Sequence, residues 1–170
     1  MGHYRAIKTA YELGCAHSLI MEDDIRFLKD LRQVEDIVSD LPDNYDVALF
    51  DVFKPQKLSF EEWKNNAKNR KVSKHWCSFD NMRSFACYAM SRRGMARWIC
   101  LWEEAFRPGG YLRVADQYMN RAIFGSNMKM YHAVVNACIQ APVGTACSGN
   151  SGCHMDKYRQ YGLDASSYEI

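Results

Sequence analysis

The sequence predicts an α/β domain, and three observations predict it. Segments with apolar residues at helical spacing alternate with short continuous apolar runs, the order expected when strands lie beneath helices. The first of those runs, Ser18 to Met21, ends abruptly in three carboxylates, as a buried strand does where it emerges at the edge of a sheet. With 170 residues and 48% hydrophobic side chains, the chain can bury one sizeable core, so one domain is expected over 1–150 with a tail over 151–170.

Each element follows in order. Tyr4, Ile7, Ala10 and Tyr11 predict a helix to Leu13, with Gly14 as its left-handed stop. After the strand ending at Met21, Leu28, Leu31, Val34, Val38 and Leu41 restore the helical period until Pro42 closes it. Tyr45 to Val52 reads as a second buried strand, introduced by Pro42, Asp43 and Asn44. The polar stretch from Lys54 to Lys74 reads as a surface excursion. Val72 to Phe79 and Phe85 to Met90 are two further strands, and Ser91 opens a helix marked by Met95, Trp98, Ile99 and Trp102. Beyond the break at Pro108, Gly109 and Gly110, a helix from Asp116 to Phe124 and a last strand from Met128 to Val135 precede a tail rich in Gly, Ser and Cys.

Twenty-two basic against twenty acidic residues leave a formal charge of +2, and no block of about five like charges occurs. Nucleic acid and anionic membrane are therefore not the expected partners. No apolar stretch approaches the roughly 18 residues of a membrane span, and no signal-peptide order opens the chain, so a soluble cytoplasmic protein is expected. Seven cysteines at spacings foreign to zinc and thioredoxin motifs read as reduced thiols packed like small hydrophobes.

The chemistry concentrates at Glu22, Asp23 and Asp24. On a continuing strand, Glu22 and Asp24 would share one face and Asp23 the other. Two like charges about 4 Å apart repel by roughly 4 kcal/mol at an effective dielectric near 20, a cost that a divalent cation removes. Ligand sites of open α/β sheets lie at the carboxyl ends of strands, where this triplet falls. The same three acids also suit a solvated strand end, or Asp24 as the cap of a helix beginning near Arg26.

The run from Gly2 to Asp24, a helix ending Glu-Leu-Gly and then Leu-Ile-Met-Glu-Asp-Asp-Ile, resembles glycosyltransferase family 25, which includes lipooligosaccharide and collagen galactosyltransferases. The resemblance continues through Leu41-Pro42, Asp46 to Phe50, Ala86 to Ser91, Gly94 to Ala96, Ala115 to Tyr118, and Gln140 followed by Ser148, and so covers most of the chain. It implies a GT-A fold, a mixed sheet flanked by helices, and transfer of a sugar, often galactose, from a nucleotide diphosphate donor such as a UDP-sugar to a glycan acceptor with inversion, as in lipopolysaccharide biosynthesis. The acidic motif would then hold Mn²⁺ or Mg²⁺, with Asp24 as direct ligand, Glu22 supporting it through water or ribose, and Asp23 ambiguous. At the front the chain departs from the family. A complete member carries a strand, a helix and a second strand before the segment matching Gly2 and His3, so the chain reads as N-terminally truncated, without the elements that receive the nucleotide base.

An inverting transfer needs a base for the acceptor hydroxyl, and Asp116 is the candidate; its other reading is an acid favoured at a helix N-terminus. Related GT-A enzymes often complete the metal shell with a late histidine, which points to His154, whereas His132 sits inside the last strand as a structural residue. Cys147 and Cys153 raise zinc, but at a spacing that fits no common zinc pattern. Trp98 and Trp102 belong to a core by their spacing, Trp76, Tyr88 and Tyr111 are candidates to border an acceptor groove, and Arg83 and Arg92 are candidates to meet phosphates. Two other readings stand beside the transferase. One is a catalytically silent binding module that pairs its exposed sheet edge with a second copy. The other is a phosphoryl-transfer enzyme recruiting Asp51, for which no glycine-rich phosphate loop is present.

Overall fold

The computed structural model describes residues 2–51, 70–78, 85–105, 126–134 and 137–140. Among them it is a mixed α/β structure: a five-stranded mixed sheet, a two-stranded ribbon and three helices. Helix α1 (Gly2–Glu12) buries Ile7 and packs Tyr4, Ala10 and Tyr11 against the same core. It stops as its sequence predicts. Gly14 takes φ 80°, its N–H donates to the Tyr11 carbonyl at 3.1 Å, and the Cys15 N–H reaches the Ala10 carbonyl at 3.1 Å. That pair of bonds is a Schellman motif, which only a residue tolerant of positive φ closes cheaply.

Strand β1 (His17–Met21) forms one edge of the large sheet and pairs antiparallel with β5 (Cys87–Ser91), from His17↔Ser91 to Met21↔Cys87. Next to β5 lies β3 (Val47–Leu49), antiparallel to it and parallel to β6 (Met130–Ala133); β4 (Trp76–Ser78) closes the other edge, antiparallel to β6. Strands β1, β3 and β6 therefore run in one direction and bring their carboxyl ends to one rim. Alternation along the strands splits the core in two. Val47, Leu49, Tyr88 and Met90 face α1 and α3 (Arg92–Ala105), while Ala48, Phe50 and Cys87 face the side of α2 (Leu31–Ser39) and Trp76. On the first side Trp98 and Trp102 stack at 4.9 Å and Tyr4 lies over Trp102 at 5.8 Å, so both tryptophans are core, as their spacing predicts.

The expected helix from Leu28 starts later, and what precedes it is a strand. Ile25–Phe27 forms β2, antiparallel to β7 (Cys138–Gln140), and the Leu28 N–H bonds the Ala137 carbonyl at 2.9 Å. The helix begins at Leu31 because Asp30 caps it. Its side chain accepts the Gln33 N–H at 2.8 Å while the Gln33 amide oxygen accepts the Asp30 N–H at 3.2 Å, a complete capping box. Asp24 is therefore not a helix cap near Arg26. Strand β7 is a second departure, since 138–140 read as part of an irregular tail.

Asp46, fully buried at the start of β3, ties three elements together. Its carboxylate accepts Arg93 Nε at 2.6 Å, Arg97 Nη1 at 3.1 Å and the Lys129 backbone N–H at 2.7 Å. A buried carboxylate is tolerable only when paired and hydrogen-bonded in this way. Ser91 caps α3 as predicted, its hydroxyl accepting the Gly94 N–H at 3.1 Å.

On the opposite edge Asp36 accepts Lys74 Nζ at 2.7 Å and His75 Nε2 at 2.9 Å, and Asp40 accepts the His75 backbone N–H at 2.6 Å. The Lys74 ammonium, and next the His75 ring, hold Asp36 below the ordinary 3.8. Burial pushes Asp40 up, but the His75 N–H works against it and Asp40 stays below 3.8 as well. Depressed carboxylates contribute stability that is present above their unfolded value and lost as pH falls through the folded one. Wild type is thus expected to melt above Asp36→Asn near neutral pH, with the gap closing as the pH falls below the ordinary 3.8. A gap in melting temperature that stays constant on acidification, measured by calorimetry, would contradict this.

Candidate functional site

The rim where β1, β3 and β6 end carries the acidic triplet. Strand β1 ends at Met21, and the chain turns back at once into β2, with the Ile25 N–H pointing to the Glu22 carbonyl at 3.4 Å. Glu22 is pinned to the neighbouring strand by its own N–H, which donates to the Ala86 carbonyl at 2.8 Å. The triplet therefore occupies a tight turn rather than the continuation of a strand, and the expected alternation of Glu22 and Asp24 against Asp23 does not govern it. A polar turn, not pleat, sets the three directions. Asp23 is exposed, Glu22 and Asp24 are half-buried, and Asp24 Oδ1 is shielded from solvent.

Glu22 does not stand alone. Its Oε1 lies 3.3 Å from His3 Nε2, and His3 Nδ1 lies 3.0 Å from the Tyr88 hydroxyl. Helix α1 delivers His3 from its first turn, and β5 delivers Tyr88 from beneath. The His3 ring meets Phe85 edge-on at 5.9 Å, and Phe85 packs on Tyr88 at 3.9 Å, so a wall of three rings backs the carboxylate. Burial, and next the charge of Glu22, raise the Tyr88 phenol well above its ordinary value, so it remains an O–H donor throughout the physiological range.

Asp51 follows β3 onto the same rim and is almost fully buried. Behind it the Cys138 thiol is pushed up by its hydrogen bond with Cys87, then by burial and by the Asp51 charge, which places the two thiols and this carboxylate together. Both cysteines are free and buried, consistent with their reading as small hydrophobes. Among the described residues no three His, Cys, Asp or Glu side chains form a group able to hold a metal ion by themselves.

Two of the remaining candidates are placed elsewhere. Trp76 borders no groove: it is buried, its indole N–H donates to the Ile37 carbonyl at 2.8 Å and its ring meets Phe50 edge-on at 5.2 Å. Arg92 stacks over the Tyr11 ring at 4.4 Å and donates to the Tyr11 carbonyl at 3.0 Å, at the opposite end of β5 from the acidic turn. His132 is buried in β6 with Nδ1 3.0 Å from the Ala133 carbonyl, as expected of a structural histidine. Asp116, His154, Tyr111, Arg83, Cys147 and Cys153 lie outside the described residues, as does the tail over 151–170. No helix among the described residues is long and apolar enough to cross a membrane.

His3 and Tyr88 were not legible as partners of Glu22. They stand 19 and 85 residues from their partners along the chain, and no local spacing joins them. No protein-family model and no curated protein sequence matches this chain.

Proposed function

We propose that the chain is a metal-dependent, inverting glycosyltransferase of the GT-A type, moving a sugar such as galactose from a nucleotide diphosphate to a glycan acceptor. One observation carries the reading: an acidic turn stands at the rim where three parallel strands end, the position at which open α/β sheets receive phosphorylated ligands. The resemblance of Gly2 to Asp24 to family 25, which includes the same three acids, points the same way.

The residues fit a hard divalent cation in a particular sense. All three side chains of the turn offer carboxylate oxygens, the donors that Mg²⁺ and Mn²⁺ take, yet the described residues make no cage of three. Such ions commonly keep several waters and bind through one or two carboxylates together with the substrate's phosphates. When bound, the ion neutralises charge developing on the departing diphosphate. Asp24 and Glu22 would anchor it. Asp116 would accept the proton of the acceptor hydroxyl from the face opposite the leaving group.

Calorimetry tests this directly. UDP titrated into the protein with Mn²⁺ present is expected to give a binding heat that EDTA abolishes, and Mn²⁺ without UDP is expected to give far less. A protein silent toward UDP with and without Mn²⁺ is a scaffold or binding module, and the transferase reading is then wrong.

A further inference from the structure

We infer that His3 and Tyr88 are positioning residues that fix the Glu22 carboxylate for its ligand, an inference resting on the metal and nucleotide reading of the acidic turn. Neither residue touches that ligand in this scheme. They act through Glu22.

The hydrogen-bond directions follow from the groups themselves. A carboxylate only accepts, so a bond between Glu22 Oε1 and His3 Nε2 at 3.3 Å requires the proton on Nε2. With His3 neutral, Nδ1 is left as an acceptor, and the Tyr88 hydroxyl 3.0 Å away donates to it. The phenol is suited to that role because it is buried beneath the sheet rim and stays protonated. The chain Tyr88 O–H to His3 Nδ1, His3 Nε2–H to Glu22 Oε1 is therefore directional, and it selects one tautomer of His3. Ring packing reinforces it, since Phe85 lies against both rings and restricts their rotation. Glutamate has three side-chain torsions, and without this brace its carboxylate would sample several rotamers at the turn. A histidine that donates to a carboxylate oxygen acts on metal chemistry as outer partners generally do, by holding orientation, and loss of such a partner weakens metal binding roughly 10- to 100-fold.

The test uses the full chain, titrated with Mn²⁺ in the presence of UDP, as wild type, Tyr88→Phe, His3→Ala and His3→Gln. Tyr88→Phe removes one oxygen and keeps the ring that packs on Phe85, and His3→Gln keeps a donor that can reach a carboxylate. Expected are a roughly 10- to 100-fold weaker Mn²⁺ affinity in Tyr88→Phe and His3→Ala, partial recovery in His3→Gln, and melting temperatures without metal near that of wild type. Should His3→Ala fold poorly, Tyr88→Phe and His3→Gln carry the comparison. Wild-type affinity in all variants overturns the positioning role while the transferase reading stands. Absence of any Mn²⁺ and UDP heat in wild type overturns both.

Discussion

Gly94→Ala is expected to cost this protein about 3 kcal/mol or more, the upper end of what overpacking does. The direction is opposite to what helix propensity alone implies, since Ala is favoured over Gly inside a helix by about 1 kcal/mol. Gly94 lies in the first turn of α3, where the helix crosses the start of β3. A Cβ there would overlap the Asp46 carbonyl oxygen and lie 2.7 Å from the carbonyl carbon. Those atoms are backbone and cannot rotate aside. They are also held from the other direction, because the same carbonyl oxygen accepts the Ser91 N–H at 3.2 Å and the Asp46 carboxylate holds Arg93 and Arg97. Relief would require α3 to lift away from the sheet and separate those ion pairs. In a domain of this size the loss corresponds to a melting temperature lower by roughly 6–12 °C, read by calorimetry. Gly2→Ala is the control, since nothing lies within 4 Å of its added methyl. Equal melting temperatures for Gly94→Ala and Gly2→Ala would show that the α3 contact with β3 is looser than described.

Asp24→Asn is expected to have the largest effect on ligand binding. The substitution keeps the size of the side chain, so the turn that hands β1 to β2 should survive, but it removes a full negative charge beside the proposed cation. Losing a mere outer partner of a metal ligand costs roughly 10- to 100-fold in affinity, so loss of a charged direct ligand is expected to exceed about 100-fold in Mn²⁺-dependent UDP binding. Glu22→Gln is expected to fall short of that loss. Asp23→Asn, on the exposed middle of the turn, should change affinity least. If Asp24→Asn binds Mn²⁺ and UDP as wild type does, Asp24 is not a ligand and the metal site must be sought elsewhere.

The parts of the fold that were legible are those where neighbours in sequence decide. Ile7 and its helical companions, Gly14 as the stop of α1, Ser91 as the cap of α3, and the two stacked tryptophans all depend on contacts within a few residues or on one apolar stripe. Strand β2 was not legible because Ile25, Arg26 and Phe27 are flanked by acids and followed by helical spacing. What makes them a strand is pairing with Cys138, Ile139 and Gln140, more than a hundred residues away in the chain. Trp76 shows the same limit, since no residue near it in sequence reveals that α2 packs on it and accepts its indole N–H at the Ile37 carbonyl.

By itself the sequence determined the α/β class and the position of the acidic triplet just after a strand, because each depends on local order and residue type. Only the tertiary structure decided that these acids sit in a turn, that they share a rim with the ends of β3 and β6, and that His3 and Tyr88 brace Glu22. Strand pairing and ring packing act between residues distant along the chain, and the free energy that fixes them resides in contacts that no local pattern of residues encodes.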